Sequence, residues 1–402
     1  MGRHISKILI ALWVCLILSI HSFACTSVMV SDKNNSIAGS NEDSFIILTK
    51  LWFVPGEEGQ YSRVCLGYEL NGSSLQGGMN EMGLFIDGNA LGPKNWKADP
   101  NKLNFQGSLL ESILAKCATV EDVIAFFKKY NVKALNDARF PVMDKTGASM
   151  VVEWFNDQVT FLRSDKNYQV ATNFVGSKYS DLNAPCWRYK NAMNVLQTNS
   201  NASVENVRKA LVSSHQNDNH IKTVYSYICD LKKGDIYIYN WHNFNDVVKF
   251  NLTEQIKKGY TEYYLYNLFK PNSEYESFIE NGVYESINYG YRENNTTVAL
   301  MFYNAYKEKY PSVFKIDVNP DDLYKLANQL VSEKKDNDAL VFLKRNIEEF
   351  PNHIESLITI ARIYSSQNEN YKSIRYYAEA LDFDKNNKDI LCELKLLLEK
   401  IN

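Results

Sequence analysis

A repeat near the C-terminus constrains this chain more than any other feature. Leu323, Leu326, Ala327, Leu330, Ala339, Leu340, Leu343 and Ile347 recur 34 positions later as Leu357, Ile360, Ala361, Tyr364, Ser373, Ile374, Tyr377 and Leu381. Apolar residues spaced by threes and fours mark helices, and the small residues at Ala327/Ala361 and Ala339/Ser373 let two helices of a unit approach closely. One such unit cannot bury its apolar face alone, so the pattern requires neighbours stacked side by side. Pro351 closes the first unit and the stretch from Asp384 to Lys388 the second, and Leu391, Leu394 and Leu398 fit the capping helix of a stack. Two units and a cap fall short of the three or more repeats that stand alone, so this tail is expected to lean on what precedes it.

The spacing resembles that of tetratricopeptide repeats, which implies an all-α helical-repeat domain over residues 320–402. Whether it only stabilises the chain or binds a protein partner is left open by the sequence. Ahead of it the pattern changes. Thr26 to Val30, Val151 to Trp154, Thr223 to Ile228 and Asp235 to Tyr239 alternate with the period of strands, and the last two flank a hairpin-like connection from Cys229 to Gly234. Leu109 to Lys116, Val120 to Lys129 and Val204 to Ser213 have helical spacing, with Thr119 and Ser203 where N-caps belong. Strands and helices in separate groups imply a largely antiparallel α+β domain, joined to the helical tail near residues 305 to 320. The tyrosine-rich stretch from Tyr260 to Tyr303 reads as packing or interface material.

The first two dozen residues carry Arg3, His4 and Lys7, then the apolar run Ile8 to Ile20, then Ser22-Phe23-Ala24. This is the layout of an export signal cut before Cys25, which places the protein in the periplasm or outside the cell. A lipoprotein, anchored through Cys25, is the rival reading; Ser22 stands where such signals usually carry leucine. No later apolar run approaches the roughly 20 residues that span a bilayer. The net charge of −3 and the lack of basic blocks give nucleic-acid binding no support. Of seven cysteines, Cys15 leaves with the signal, and the other six are too widely and irregularly spaced for a zinc ribbon, a CxxC redox pair or a disulfide scaffold. A P-loop, a dinucleotide-binding GxGxxG, HExxH and GxSxG are all missing, and no metal or organic cofactor is expected.

Cys25 is the distinctive residue, because cleavage before it would expose a thiol and a free α-amine on one residue. An α-amine has a pKa of about 7.7–8.0, so near neutrality it can accept the thiol proton without help from a histidine. The thiolate can then attack a carbonyl, the ammonium can protonate the leaving amine, and water can hydrolyse the thioester. Cys25-Thr26-Ser27-Val28-Met29-Val30 runs into Gly39-Ser40-Asn41-Glu42-Asp43; further on come Gly78-Met79-Asn80-Glu81-Met82-Gly83-Leu84 and Ala171-Thr172-Asn173. Over about residues 25 to 250 these segments resemble the N-terminal-nucleophile cysteine hydrolases that include penicillin V acylase, choloylglycine hydrolase, acid ceramidase and the penicillin acyltransferases.

That resemblance implies a four-layer αββα fold over residues 25–310. It also implies that Cys25 is the nucleophile, that Asp43 holds its amine, and that Asn89 and Asn173 donate to the oxyanion. Neutral amide N–H groups suit that last task because they need not reorganise as charge develops. Ser40 departs from the family pattern, standing where bile salt and penicillin V acylases carry an arginine beside the nucleophile. The family's late active-site arginine is not identifiable either; His215, His220 and Lys222 are the basic residues on offer. The reading that results is an exported amidase, cleaving linear, non-peptide C–N amide bonds of a small N-acyl substrate. An acyltransferase using the same nucleophile, and a lipid-anchored scaffold that has lost catalysis, are the alternatives.

Overall fold

The computed structural model describes residues 25–44, 48–69, 73–217, 221–270, 273–293, 295–314 and 318–401. The expected signal, residues 1–24, and His220 lie outside the described residues. The chain divides into two compact units, Met1–Pro271 and Asn272–Asn402.

In the first unit the strands are β1 (Thr26–Ser31), β2 (Ser36–Ser44), β3 (Thr49–Val54), β4 (Arg63–Glu69), β5 (Ser73–Asn80), β6 (Leu84–Asp87) and β7 (Asn89–Ala90). A short strand β8 (Leu103–Asn104), the helices α1 (Leu109–Lys116) and α2 (Val120–Lys129), and β9 (Tyr130–Asn131) follow. Next come β10 (Ala138–Asp144), β11 (Ser149–Phe155), β12 (Gln158–Arg163) and β13 (Tyr168–Ala171), then α3 (Trp187–Thr198) and α4 (Val204–Ser214). The unit closes with β14 (Lys222–Asp230), β15 (Asp235–Asn240), β16 (Val248–Asn251), the single turn α5 (Leu252–Ile256) and β17 (Thr261–Tyr264).

Two antiparallel sheets stack face to face, one of six strands in the order β13-β1-β2-β14-β15-β16, the other of nine built on β12-β11-β10-β6-β5-β4-β3-β17 with β7 beside β10. Helices cover both outer faces. Ile113, Leu114, Val123 and Phe127 of α1 and α2 bury against Ile86, Val142 and Val152 of the larger sheet. Ala192, Leu196, Val207 and Leu211 of α3 and α4 bury against Val28, Ile37 and Ile228 of the smaller one. The fold is therefore α+β in four layers, αββα, as expected from the sequence. Local signals set its helices: Thr119 caps α2 in a capping box with Asp122, and Ser203 caps α4 by accepting from the Asn206 N–H. The hairpin between β14 and β15 turns through Gly234, whose φ of 72° suits glycine.

The second unit is helical throughout its described residues: α6 (Ser273–Glu293), α7 (Thr296–Phe314), α8 (Asp321–Ser332), α9 (Asp336–Glu349), α10 (Ile354–Ser366), α11 (Asn370–Phe383) and α12 (Lys388–Ile401). It starts earlier than the join read at 305 to 320, because α6 and α7 pack with each other and with the helices after them. Their tyrosines serve that packing: Tyr284 donates to Gln329, Tyr291 to Asp338, and Tyr306 shares a hydrogen bond with Ser286. Helices α8/α9 and α10/α11 form two pairs whose interhelical turns carry matching left-handed residues, Lys334 (φ 60°) and Asn368 (φ 59°). The repeat positions Leu326, Ala327, Ala339 and Leu343 are buried, as are Ile360, Ala361, Ser373 and Tyr377. No helix among the described residues is long and apolar enough to cross a membrane.

Candidate active site

Strand β2 is the anomaly from which the site is built. It lies between β1 and β14 and all nine of its residues are buried, yet it reads Ser-Ile-Ala-Gly-Ser-Asn-Glu-Asp-Ser. A strand covered on both faces is ordinarily an apolar run, so its polar side chains must be satisfied by specific partners. Alternation along the strand sends Asn41 and Asp43 to the helix-covered face and Ser40 and Glu42 to the face between the sheets.

On the helix side, Asp43 accepts from Arg188 Nη1 at 3.1 Å and from Gln216 Nε2 at 2.9 Å, and Thr223 Oγ1 donates to its other oxygen. Arg188 comes from the first turn of α3 and does more than neutralise Asp43. Its Nη1 also donates to the Cys25 carbonyl at 2.9 Å and to Thr26 Oγ1 at 3.3 Å, and its Nη2 donates to Asn173 Oδ1 at 2.9 Å. The rigid guanidinium fork thereby ties together three residues that lie far apart in sequence, Cys25, Asp43 and Asn173. Asn173 in turn donates from Nδ2 to the Ala90 carbonyl at 2.8 Å, next to Asn89.

Between the sheets, Cys25 Sγ donates to Glu42 Oε2 at 3.2 Å. Ser27 Oγ lies 3.4 Å from Ser40 Oγ and accepts from Asn89 Nδ2 at 3.2 Å. From the opposite sheet Asp87 reaches across, accepting from Tyr227 Oη at 2.7 Å and from the Gly88 N–H at 2.5 Å. Gly77 makes room for that bond, since a Cβ there would lie 2.1 Å from Tyr227 Oη. Tyr68 and Tyr225, 6.1 Å apart centre to centre, line the same layer.

The electrostatics follow from this burial. Burial, followed by the carboxyls of Glu42, Asp87 and Asp43, pushes the Cys25 thiol well above its usual value. Burial, and after it the charge of Asp87, pushes Glu42 well above the carboxylate range. Burial also raises Asp87, but hydrogen bonds from Tyr227 and its neighbours hold it to about 6.

All four residues singled out in the sequence, Cys25, Asp43, Asn89 and Asn173, are thus connected through Arg188, Ser27 and the Ala90 backbone. Sequence reasoning missed Arg188 and Glu42. Arg188 had a signal: it occupies the buried stripe of α3, with Tyr189, Ala192, Met193 and Leu196. Of the basic residues weighed in its stead, His215 bonds the Val212 carbonyl and stacks on His242, and Lys222 Nζ donates to Asn217. Neither is bonded to Cys25 or Glu42. Among the described residues no group of three or more His, Cys, Asp or Glu side chains is arranged to hold a metal ion.

Residues 22–203 match the family model of linear amide C–N hydrolases, choloylglycine hydrolase family. An arginine-to-leucine variant of conjugated bile acid hydrolase from Clostridium perfringens superposes with a TM-score of 0.51 at 16% identity, over 62% of this chain and 99% of that one. Penicillin V acylase from Agrobacterium tumefaciens gives a TM-score of 0.45 at 16% identity, over 57% of this chain and 86% of the other. No curated protein sequence matches. Through residues 22–203 the chain is similar to the choloylglycine hydrolase family, and it is an enzyme of the linear amide C–N hydrolase class.

Proposed function

We propose that the protein is an exported amidase that cleaves the C–N bond of a small N-acyl amide through a thioester on Cys25. Removal of residues 1–24 liberates the Cys25 α-amine, which takes the thiol proton and later returns it to the leaving amine. Asp43, fixed by Arg188, Thr223 and Gln216, holds the ammonium that forms. Asn89 and Asn173 supply N–H donors to the tetrahedral oxyanion, Asn173 sharing or exchanging its bond to Ala90 as charge develops. The helical second unit is a tetratricopeptide-like stack that offers a surface to a protein partner.

The observation that carries this reading is Cys25 itself. Its carbonyl is pinned by the arginine that also grips Asp43 and Asn173, and its thiol is directed into the polar layer between the sheets, all within the stretch that matches the amidase family. The test has two steps. Intact mass of the exported protein should show an unmodified chain beginning at Cys25; a diacylglyceryl adduct would point to the anchored scaffold instead. That material, screened against N-acyl amino acids, bile-salt conjugates and penicillin V, should release free amine, and Cys25→Ala should release none while keeping its fold. Equal turnover by Cys25→Ala would rule the nucleophile out.

A further inference from the structure

Glu42 is the one carboxyl bonded to the Cys25 sulfur, at 3.2 Å, and it is fully buried. Around it stand Cys25 ahead of β1, Ser40 and, on the opposite face, Asp43 of its own strand, Tyr68 of β4, Asp87 of β6, and Tyr225 and Tyr227 of β14. No lysine, arginine or histidine among the described residues is hydrogen-bonded or ion-paired to it; the nearby guanidinium of Arg188 is committed to Asp43, Asn173, Thr26 and the Cys25 carbonyl. A thiolate beside two ionised carboxylates in a fully buried layer would put three negative charges together. A layer of this kind relieves that repulsion by keeping a proton. Asp87 is already served by Tyr227 Oη and the Gly88 N–H, both donors that favour its charged form, so the retained proton belongs on Glu42.

Resting on the reading of Cys25 as nucleophile, we propose that Glu42 works as a neutral carboxylic acid whose O–H donates to the Cys25 sulfur, supplying the donor that Ser40 cannot. Glu42 touches the reacting atom and is a catalytic residue in this sense, but it is not the base. The thiol S–H bond breaks as an N–H bond forms on the Cys25 α-amine, and the Glu42 O–H then turns its hydrogen bond onto the thiolate. As the C–S bond forms and the C–N bond breaks, the ammonium proton goes to the leaving nitrogen. Glu42 keeps its own proton throughout.

The experiment follows the rate of Cys25 alkylation by iodoacetamide against pH, read from the mass of the Cys25 peptide, in mature protein and in Glu42→Gln, Glu42→Leu and Asp87→Asn. A glutamine retains an N–H donor and cannot ionise. Glu42→Gln should keep the thiolate midpoint within about half a pH unit of the parent and amidase turnover within about tenfold. Glu42→Leu should raise the midpoint by about one unit or more and cut turnover about a hundredfold. Asp87→Asn, which leaves Glu42 in place, should lower the midpoint by removing a neighbouring charge. The proposal is overturned if Gln behaves like Leu, the mark of a carboxylate base, or if neither substitution moves the midpoint. Alkylation reads the thiol and not turnover, so these outcomes stand apart from activity in Cys25→Ala, which bears on the nucleophile itself.

Discussion

Glu42 and Asp43 are consecutive residues of one strand, both fully buried, and the molecule treats them in opposite ways. Asp43 faces the helices and meets a guanidinium, an amide and a hydroxyl; Glu42 faces the other sheet and meets a thiol and a second carboxyl. The difference shows that burial alone does not determine what an acid does. A carboxylate given a cation and hydrogen-bond donors becomes a fixed negative charge that can orient an ammonium, whereas one given no cation and set beside a second carboxyl is pushed toward its protonated form. Cys25 lies across the two environments, its carbonyl on the side of the Arg188–Asp43 ion pair and its sulfur on the side of Glu42 and Asp87.

The strongest way to break the contrast is to strip Asp43 of its cation. Arg188→Met leaves an uncompensated buried charge and should cost about 3–5 kcal/mol in urea unfolding, together with loss of turnover. Stability unchanged within error would mean that Arg188 is not what holds Asp43. A smaller effect comes from the other face. Burial holds Asp87 at about 6 in the folded protein against 3.8 for the free side chain, so the folded state binds the extra proton and stability falls as pH rises between those values. Asp87→Asn should remove a decline on the order of 1–3 kcal/mol from that window; parallel pH curves for the two proteins would contradict the assignment. The smallest effect is a control away from both faces: Thr119→Ala removes the capping box of α2 and should cost about 1 kcal/mol without altering Cys25 alkylation.

Sequence reading did well wherever local chemistry decides the outcome. Helices α1, α2 and α4 and the β14/β15 hairpin lie within a residue or two of where periodicity and caps put them, because those signals act over neighbouring residues. Helices α6 and α7 were hidden by their tyrosines, which favour strands in isolation and here pack between helices of their own unit. At the site, Cys25 stood out in the sequence because cleavage before it would give a terminal thiol-amine, whose chemistry does not depend on where the fold places it. Arg188 and Glu42 were not, since their roles exist only once α3 crosses the smaller sheet and β2 is buried on both faces. Seen in hindsight, a strand core reading Ser-Asn-Glu-Asp and an arginine on a helix's apolar stripe are both polar groups that burial obliges the fold to pair.

The account depends most on the α-amine of Cys25, and one comparison tests that directly. Mature protein beginning at Cys25 and the same protein carrying a single additional residue before it should be assayed side by side on whichever N-acyl amide is hydrolysed in that screen, with circular dichroism to confirm equal folding. The account predicts that the added residue abolishes turnover, because the proton acceptor becomes an amide nitrogen. Full activity in the extended protein would contradict it.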